Sequence, residues 1–186
     1  IFRDPLAVAV TGDDPDELVA RARARGDTRM RLFVCARSRF AEAVLADAVA
    51  AGVHQLVVLG AGLDTFAYRN PYDGLRVTEV DHPATQAWKL ERLTEAGIGV
   101  PATVVHAPVD FERDDPLEVL GHQGVDLGQP VLFWWLGVTP YLTRGAVEAT
   151  LRRLGSLPSV AVVLDHAAPE EGLSEDEAAA RIMEVL

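Results

Sequence analysis

The chain has 186 residues, 49% of them hydrophobic and 24% charged, a length and balance that suit one globular domain with its own core. A formal net charge of −11 argues against a general nucleic-acid binder, which needs clustered Lys and Arg against phosphates. No apolar run reaches the roughly 18 residues of a membrane span, and "IFRDPLAVAV" lacks the basic start and long apolar block of a secretion signal. Neither a nucleic acid nor a membrane is therefore expected as a partner, and the expected compartment is cytoplasmic.

Taken in chain order, the elements alternate. The early segment is rich in arginine (Arg21, Arg23, Arg25, Arg29, Arg31, Arg37, Arg39) and reads mainly as a solvated helix face. Residues 28–51 carry Phe33, Ala36, Phe40 and Val44 at helical spacing, and Gly52 follows as a stop. Cys35, the single cysteine, excludes an internal disulfide and is expected as a buried thiol between Val34 and Ala36. Five buried strands are predicted: Gln55–Gly60, Leu75–Asp81, Ala102–Ala107, Pro130–Gly137 and Ser159–His166. Those around Val57, Phe133 and Val162 are almost continuously apolar, as in a parallel sheet covered on both faces. Pro83 opens a helix that Gly97 ends. "DDPLEVLGHQG" predicts a short helix, Thr143 caps "RGAVEATLRRLG", and Ser174 with Glu177 forms a capping box for a last helix.

This alternation predicts an α/β, mostly parallel, doubly wound sheet. A single domain is expected, with a helical N-terminal part over residues 1–52 and a Rossmann-like core over 53–186. The start on Ile1 and a final helix with no strand after it predict a piece of a longer chain, with further C-terminal strands beyond it.

The chemistry gathers in "VVLGAGLDTFAYRN". Gly60, Ala61 and Gly62 fall where the first strand hands over to a helix beginning near Thr65. Glycine there allows positive φ and lets bare backbone N–H groups approach a ligand at a helix N-terminus. Asp81 ends the next strand about twenty residues on, where an acid in a nucleotide-binding βαβ unit takes the ribose hydroxyls. The third glycine of a dinucleotide turn is replaced by Thr65. Asp64 would repel a pyrophosphate but suits a cationic ligand, which favours S-adenosyl-L-methionine over a nicotinamide cofactor.

"VVLGAGLDTFAYR", "EVDHPATQAWK", "VDFERDD" and "GVTPYLTRGAVEATLRRL" together resemble successive motifs of the leucine carboxyl methyltransferase-like family, including its bacterial branch. The resemblance runs from about Asp4 to Pro169. It implies the class I methyltransferase fold with a helical N-terminal extension. It also implies that Gly60 and Gly62 line the methionine part of the cofactor. By the same resemblance, Asp110 contacts the adenine amino group, Phe111 lies beside the ring, and Arg37 binds the cofactor carboxylate. Arg37 lies four residues after Phe33 and three before Phe40, so it is expected to share their inward side. A charge on such a stripe needs a partner. Arg39 is expected in solvent and Arg69 in a structural ion pair. Leu136 stands where the family often has a glutamate, which leaves the contact to the cofactor ammonium in doubt.

The implied reaction is methyl transfer to a carboxylate or hydroxyl of an unidentified acceptor, a small molecule or a protein carboxyl terminus. A hydroxyl acceptor would be helped by a general base. Tyr141 and His166 are the candidates, each also readable as structural. Trp134 and Trp135 read as core aromatics or as pocket walls, and His54, His82, His106 and His122 lack the spacing of a metal site. A non-catalytic cofactor-binding module and an NAD-type oxidoreductase remain as alternatives.

Overall fold

The computed structural model describes residues 2–26 and 28–166. The chain opens with α1 (Ala7–Thr11), α2 (Pro15–Ala24) and the long α3 (Thr28–Ala50). The core follows as β1 (Gln55–Leu59), α4 (Phe66–Arg69), β2 (Arg76–Asp81), α5 (Pro83–Glu95), β3 (Val104–Pro108) and α6 (Pro116–His122). It is completed by β4 (Val131–Trp135), a 3-10 turn (Thr139–Tyr141), α7 (Arg144–Leu154) and β5 (Val160–Leu164). The predicted capping box at Ser174 and Glu177 lies outside the described residues. Among the described residues, no helix is long and apolar enough to cross a membrane.

Each predicted strand forms, and the five pair in the order β3-β2-β1-β4-β5. Every pairing is parallel. The order reverses between β1 and β4, so the ligand edge of such a sheet lies at the carboxyl ends of these central strands. Two apolar layers cover the sheet. One packs Leu56, Val58, Leu132 and Trp134 beneath Ala41, Leu45 and Phe66. The other packs Val57, Leu59, Phe133 and Trp135 against Leu117, Leu120 and Leu154. Trp134 and Trp135 are thus core residues, 2% and 0% exposed.

Local signals act where they stand. Asp115 caps α6 by accepting from the Leu117 N–H, and Thr143 caps α7 by accepting from Ala146. Gly52 follows α3 at φ +92°, a conformation that costs glycine little.

The packing of α3 differs from expectation. Its buried positions are Ala41 and Leu45, whereas Phe33 and Phe40 are 46% and 61% exposed. Residues 31–36 are all exposed, so the first turns of the helix have no core beneath them. Cys35 lies in this stretch and is exposed rather than buried. Helical spacing identifies a stripe, but the position of the sheet decides how much of it is covered.

Candidate functional site

The glycine turn forms at the carboxyl end of β1. The N–H groups of Gly60 and Ala61 both donate to the Val80 carbonyl, at 2.7 and 3.0 Å. Gly60 has φ +67°, and a Cβ there would stand 2.3 Å from Val138 Cγ2. Gly62 has φ +44°, and a Cβ there would meet nothing within 4 Å. The first glycine is therefore needed for packing and the second faces open space. Asp81 joins the turn directly, its Oδ2 accepting from the Gly62 N–H at 2.6 Å. The helix expected from Thr65 is only the four residues of α4, and Thr65 makes no capping hydrogen bond with its side chain. So short a turn carries little dipole, and Asp64 instead bonds the local backbone, accepting from the Phe66 N–H at 2.7 Å.

In front of this turn is a cavity of about 310 Å³ lined by Val34, Arg37 and Ser38 of α3, by residues 58–64, and by Leu136 and Gly137 after β4. It brings together Arg37, Gly60, Ala61, Gly62 and Asp64 of the predicted site. Arg37 enters one turn before Ala41 and two before Leu45, so it belongs to the stripe of those residues. Its Nη1 contacts Asp165 Oδ2 at 2.6 Å, and its guanidinium lies 5.7 Å from the centre of the Phe33 ring. Its Nε is buried with no hydrogen-bond partner. Gly137, at φ +71°, makes the room: a Cβ there would lie 2.7 Å from both Nη atoms. Burial pushes the Asp64 carboxyl above its usual range, against the pull of its bond to Phe66 and of the Lys89 and Arg69 charges. A carboxyl desolvated in this way gains from a cation placed beside it.

The other predicted residues lie along the same edge but outside the cavity wall. Asp110 follows β3, and the neighbouring Val109 N–H donates to the Asp81 carbonyl at 2.8 Å. Asp110 Oδ1 accepts from the Glu112 N–H at 3.0 Å, and Phe111 packs on Trp135 with ring centres 6.1 Å apart. Tyr141 is 55% exposed on the 3-10 turn. His166 is exposed just past β5. Neither lines the cavity. Arg69 is held by Glu42 at 2.6 Å and Asp4 at 3.5 Å, as a structural pair. Among the described residues, no three His, Cys, Asp or Glu side chains are grouped to hold a metal.

Sequence reasoning passed over Asp165. It follows β5 as Asp81 ends β2, at the same edge of the sheet, and that equivalence was the available signal.

A model of the leucine carboxyl methyltransferase family matches residues 1–155. The chain belongs to that family. A relative from Bacillus subtilis, provisionally named S-adenosyl-L-methionine-dependent methyltransferase YktD, is 37% identical over 136 residues, covering 71% of this chain and 44% of the relative. One from Mycolicibacterium paratuberculosis, provisionally named an S-adenosyl-L-methionine-dependent methyltransferase, is 30% identical over 97% of this chain and 56% of its own length. This leucine carboxyl methyltransferase family chain thus spans about half the length of these relatives. A solved DUF574 family protein from Streptomyces avermitilis superposes with a TM-score of 0.54 at 21% identity, over 80% of this chain and 59% of that one, a likeness of fold. With the parallel β3-β2-β1-β4-β5 sheet, the chain has the Rossmann-like class I methyltransferase fold.

Proposed function

We propose that this chain is the cofactor-binding core of an S-adenosyl-L-methionine-dependent O-methyltransferase that acts on a carboxylate or hydroxyl acceptor. The observation that carries the reading is the cavity itself. Arg37, whose Nε has no partner, lines it together with the side-chain-free backbone of Gly62 and with Asp64. The ligand has a carboxylate, an ammonium and a sulfonium, and this set of groups matches those charges. A pyrophosphate would meet Asp64 as a repulsion.

In this reading Arg37 binds the carboxylate, and the backbone of Gly60, Ala61 and Gly62 passes along the methionine chain. Asp64 faces the cationic part. Asp81 keeps lone pairs for the ribose hydroxyls beyond those it gives to Gly62 and His82. Asp110 and Phe111 continue the same edge toward the adenine. Bound, the cofactor supplies a methyl group on a cationic sulfur. The protein's part is to align the acceptor with that methyl and exclude water. A carboxylate acceptor is already ionised near neutral pH and needs no base. For a hydroxyl, Tyr141 or His166 would act from the acceptor side.

The test is calorimetric titration with S-adenosyl-L-methionine, S-adenosylhomocysteine and NADH. Binding of the first two, lost in Gly62→Val, is expected. Selective binding of NADH would replace this reading with an oxidoreductase.

A further inference from the structure

Building on the cofactor reading above, we propose that Asp165 holds the ammonium group of the bound methyl donor, so that Arg37 and Asp165 together form the receptor for its amino-acid end.

An α-amino acid carries its ammonium and carboxylate on the same carbon, so the two charges are inseparable neighbours. If Arg37 takes the carboxylate, the anion that takes the ammonium must be next to Arg37. Asp64 and Asp81 belong to the turn, and Asp165 stands on Arg37. Asp64 is at the glycine end, and Asp81, held by the Gly62 and His82 N–H groups, is the residue assigned above to the ribose hydroxyls. Asp165 is the one in contact with Arg37, Oδ2 to Nη1 at 2.6 Å. The residue of β4's end that lines the cavity beside Gly137 is Leu136, which cannot serve.

Hydrogen-bond accounting leaves room on both partners. Asp165 Oδ1 accepts from the Gly137 N–H at 2.5 Å, and its carbonyl accepts from the Thr139 hydroxyl at 3.0 Å. These contacts anchor the residue to the loop after β4. A carboxylate offers about four lone-pair sites, so two remain. Arg37 has five donors, and its buried Nε is unpartnered. The pair is half-closed, with side chains 23% and 16% exposed. An exposed surface pair would gain little from such placement, whereas here Asp165 stands directly behind two residues of the cavity wall, Arg37 and Gly137.

The experiment compares S-adenosylhomocysteine, its deaminated analogue that lacks only the ammonium, and 5′-methylthioadenosine, which lacks the whole amino-acid end. Each is titrated into wild type and Asp165→Asn. The asparagine keeps the shape and still accepts from the Gly137 N–H. In wild type, S-adenosylhomocysteine should bind on the order of 10-fold more tightly than the deaminated analogue, the worth of one charge-assisted hydrogen bond. In Asp165→Asn that preference should fall to within about 2-fold, with 5′-methylthioadenosine unchanged. Equal weakening of all three ligands would mean that Asp165 only supports the fold, and would overturn the proposal. A preference that survives in Asp165→Asn would overturn it too, while leaving the cofactor reading intact. Failure of wild type to bind any of the three would remove both. Thermal unfolding of Asp165→Asn confirms that the comparison is made on folded protein.

Discussion

Two polar groups of similar make-up sit in this molecule, and they differ in whether their hydrogen bonds are used up. Behind β2, Glu79 and Lys89 are 1% and 2% exposed, with Nζ and Oε1 at 2.8 Å. The Tyr68 hydroxyl donates to Glu79 Oε2 at 2.8 Å, and His106 Nε2 lies 3.0 Å from the same hydroxyl. Burial first, and then the Glu79 charge, push the Tyr68 phenol far above its usual range. Both charges are paired and the cluster is closed. At the cavity, by contrast, Arg37 meets the Asp165 behind it through one contact only, its Nε is unpartnered, and Gly62 faces empty space. A closed network holds elements together, and an open one has capacity left for a further contact. Buried charge alone does not distinguish the two; the cavity beside Arg37 does.

The largest expected effect breaks the closed group. Lys89→Met strands the Glu79 carboxylate and should cost about 3–5 kcal/mol of stability in denaturant unfolding. Adding Glu79→Gln to that variant should recover more than half. A loss below about 1 kcal/mol would mean the pair is not structural.

Next come the two glycines, which sharpen the contrast within one turn. Gly60→Ala meets Val138 in a left-handed conformation and should cost about 1–3 kcal/mol. Gly62→Ala has space for its methyl, so its stability cost should stay near the low end of that range. Its effect should instead fall on S-adenosylhomocysteine affinity, lowered by on the order of 10-fold. The reverse ranking would undo the division into packing glycine and ligand glycine.

Asp64→Asn is a smaller test. Because burial raises this carboxyl above its unfolded value, ionisation there works against folding. That cost is present above the folded pKa and is relieved as pH falls through it. Wild type should therefore gain stability relative to Asp64→Asn on acidification, and be the less stable of the two at neutral pH. The same substitution should narrow the preference for the sulfonium ligand over neutral-sulfur S-adenosylhomocysteine. An unchanged preference would remove Asp64 from the cationic side of the site.

The smallest effect is expected at Phe40→Ser. With 61% of Phe40 exposed, unfolding should shift by no more than about 0.5 kcal/mol. A loss of several times that would restore Phe40 to the core assigned to it by helical spacing.

Much of the fold was legible because the signals that set it act locally. A run such as "QLVVL" suits a strand covered on both faces whatever surrounds it. Gly60 must be glycine for its own backbone conformation, and Thr143 caps the turn that begins at its own position. The nearness of Asp81 to Gly62 was also readable, since one βαβ unit fixes that separation. Less legible was the length of α4, because four residues of helix and the following turn leave no period to detect.

What the sequence by itself determined was the order of strands and turns, the glycine-aspartate edge and the family. Only the tertiary structure decided which charges meet and which helix face is covered. Arg37 and Asp165 are 128 positions apart, and they come together because β5 lies beside β4 and α3 crosses their carboxyl ends. Phe33 and Cys35 are exposed because the first turns of α3 have no core beneath them, and Phe40 because it is turned away from the buried face that carries Ala41 and Leu45. Spacing along a chain records the faces an element could bury, and burial itself depends on where other parts of the chain come to lie.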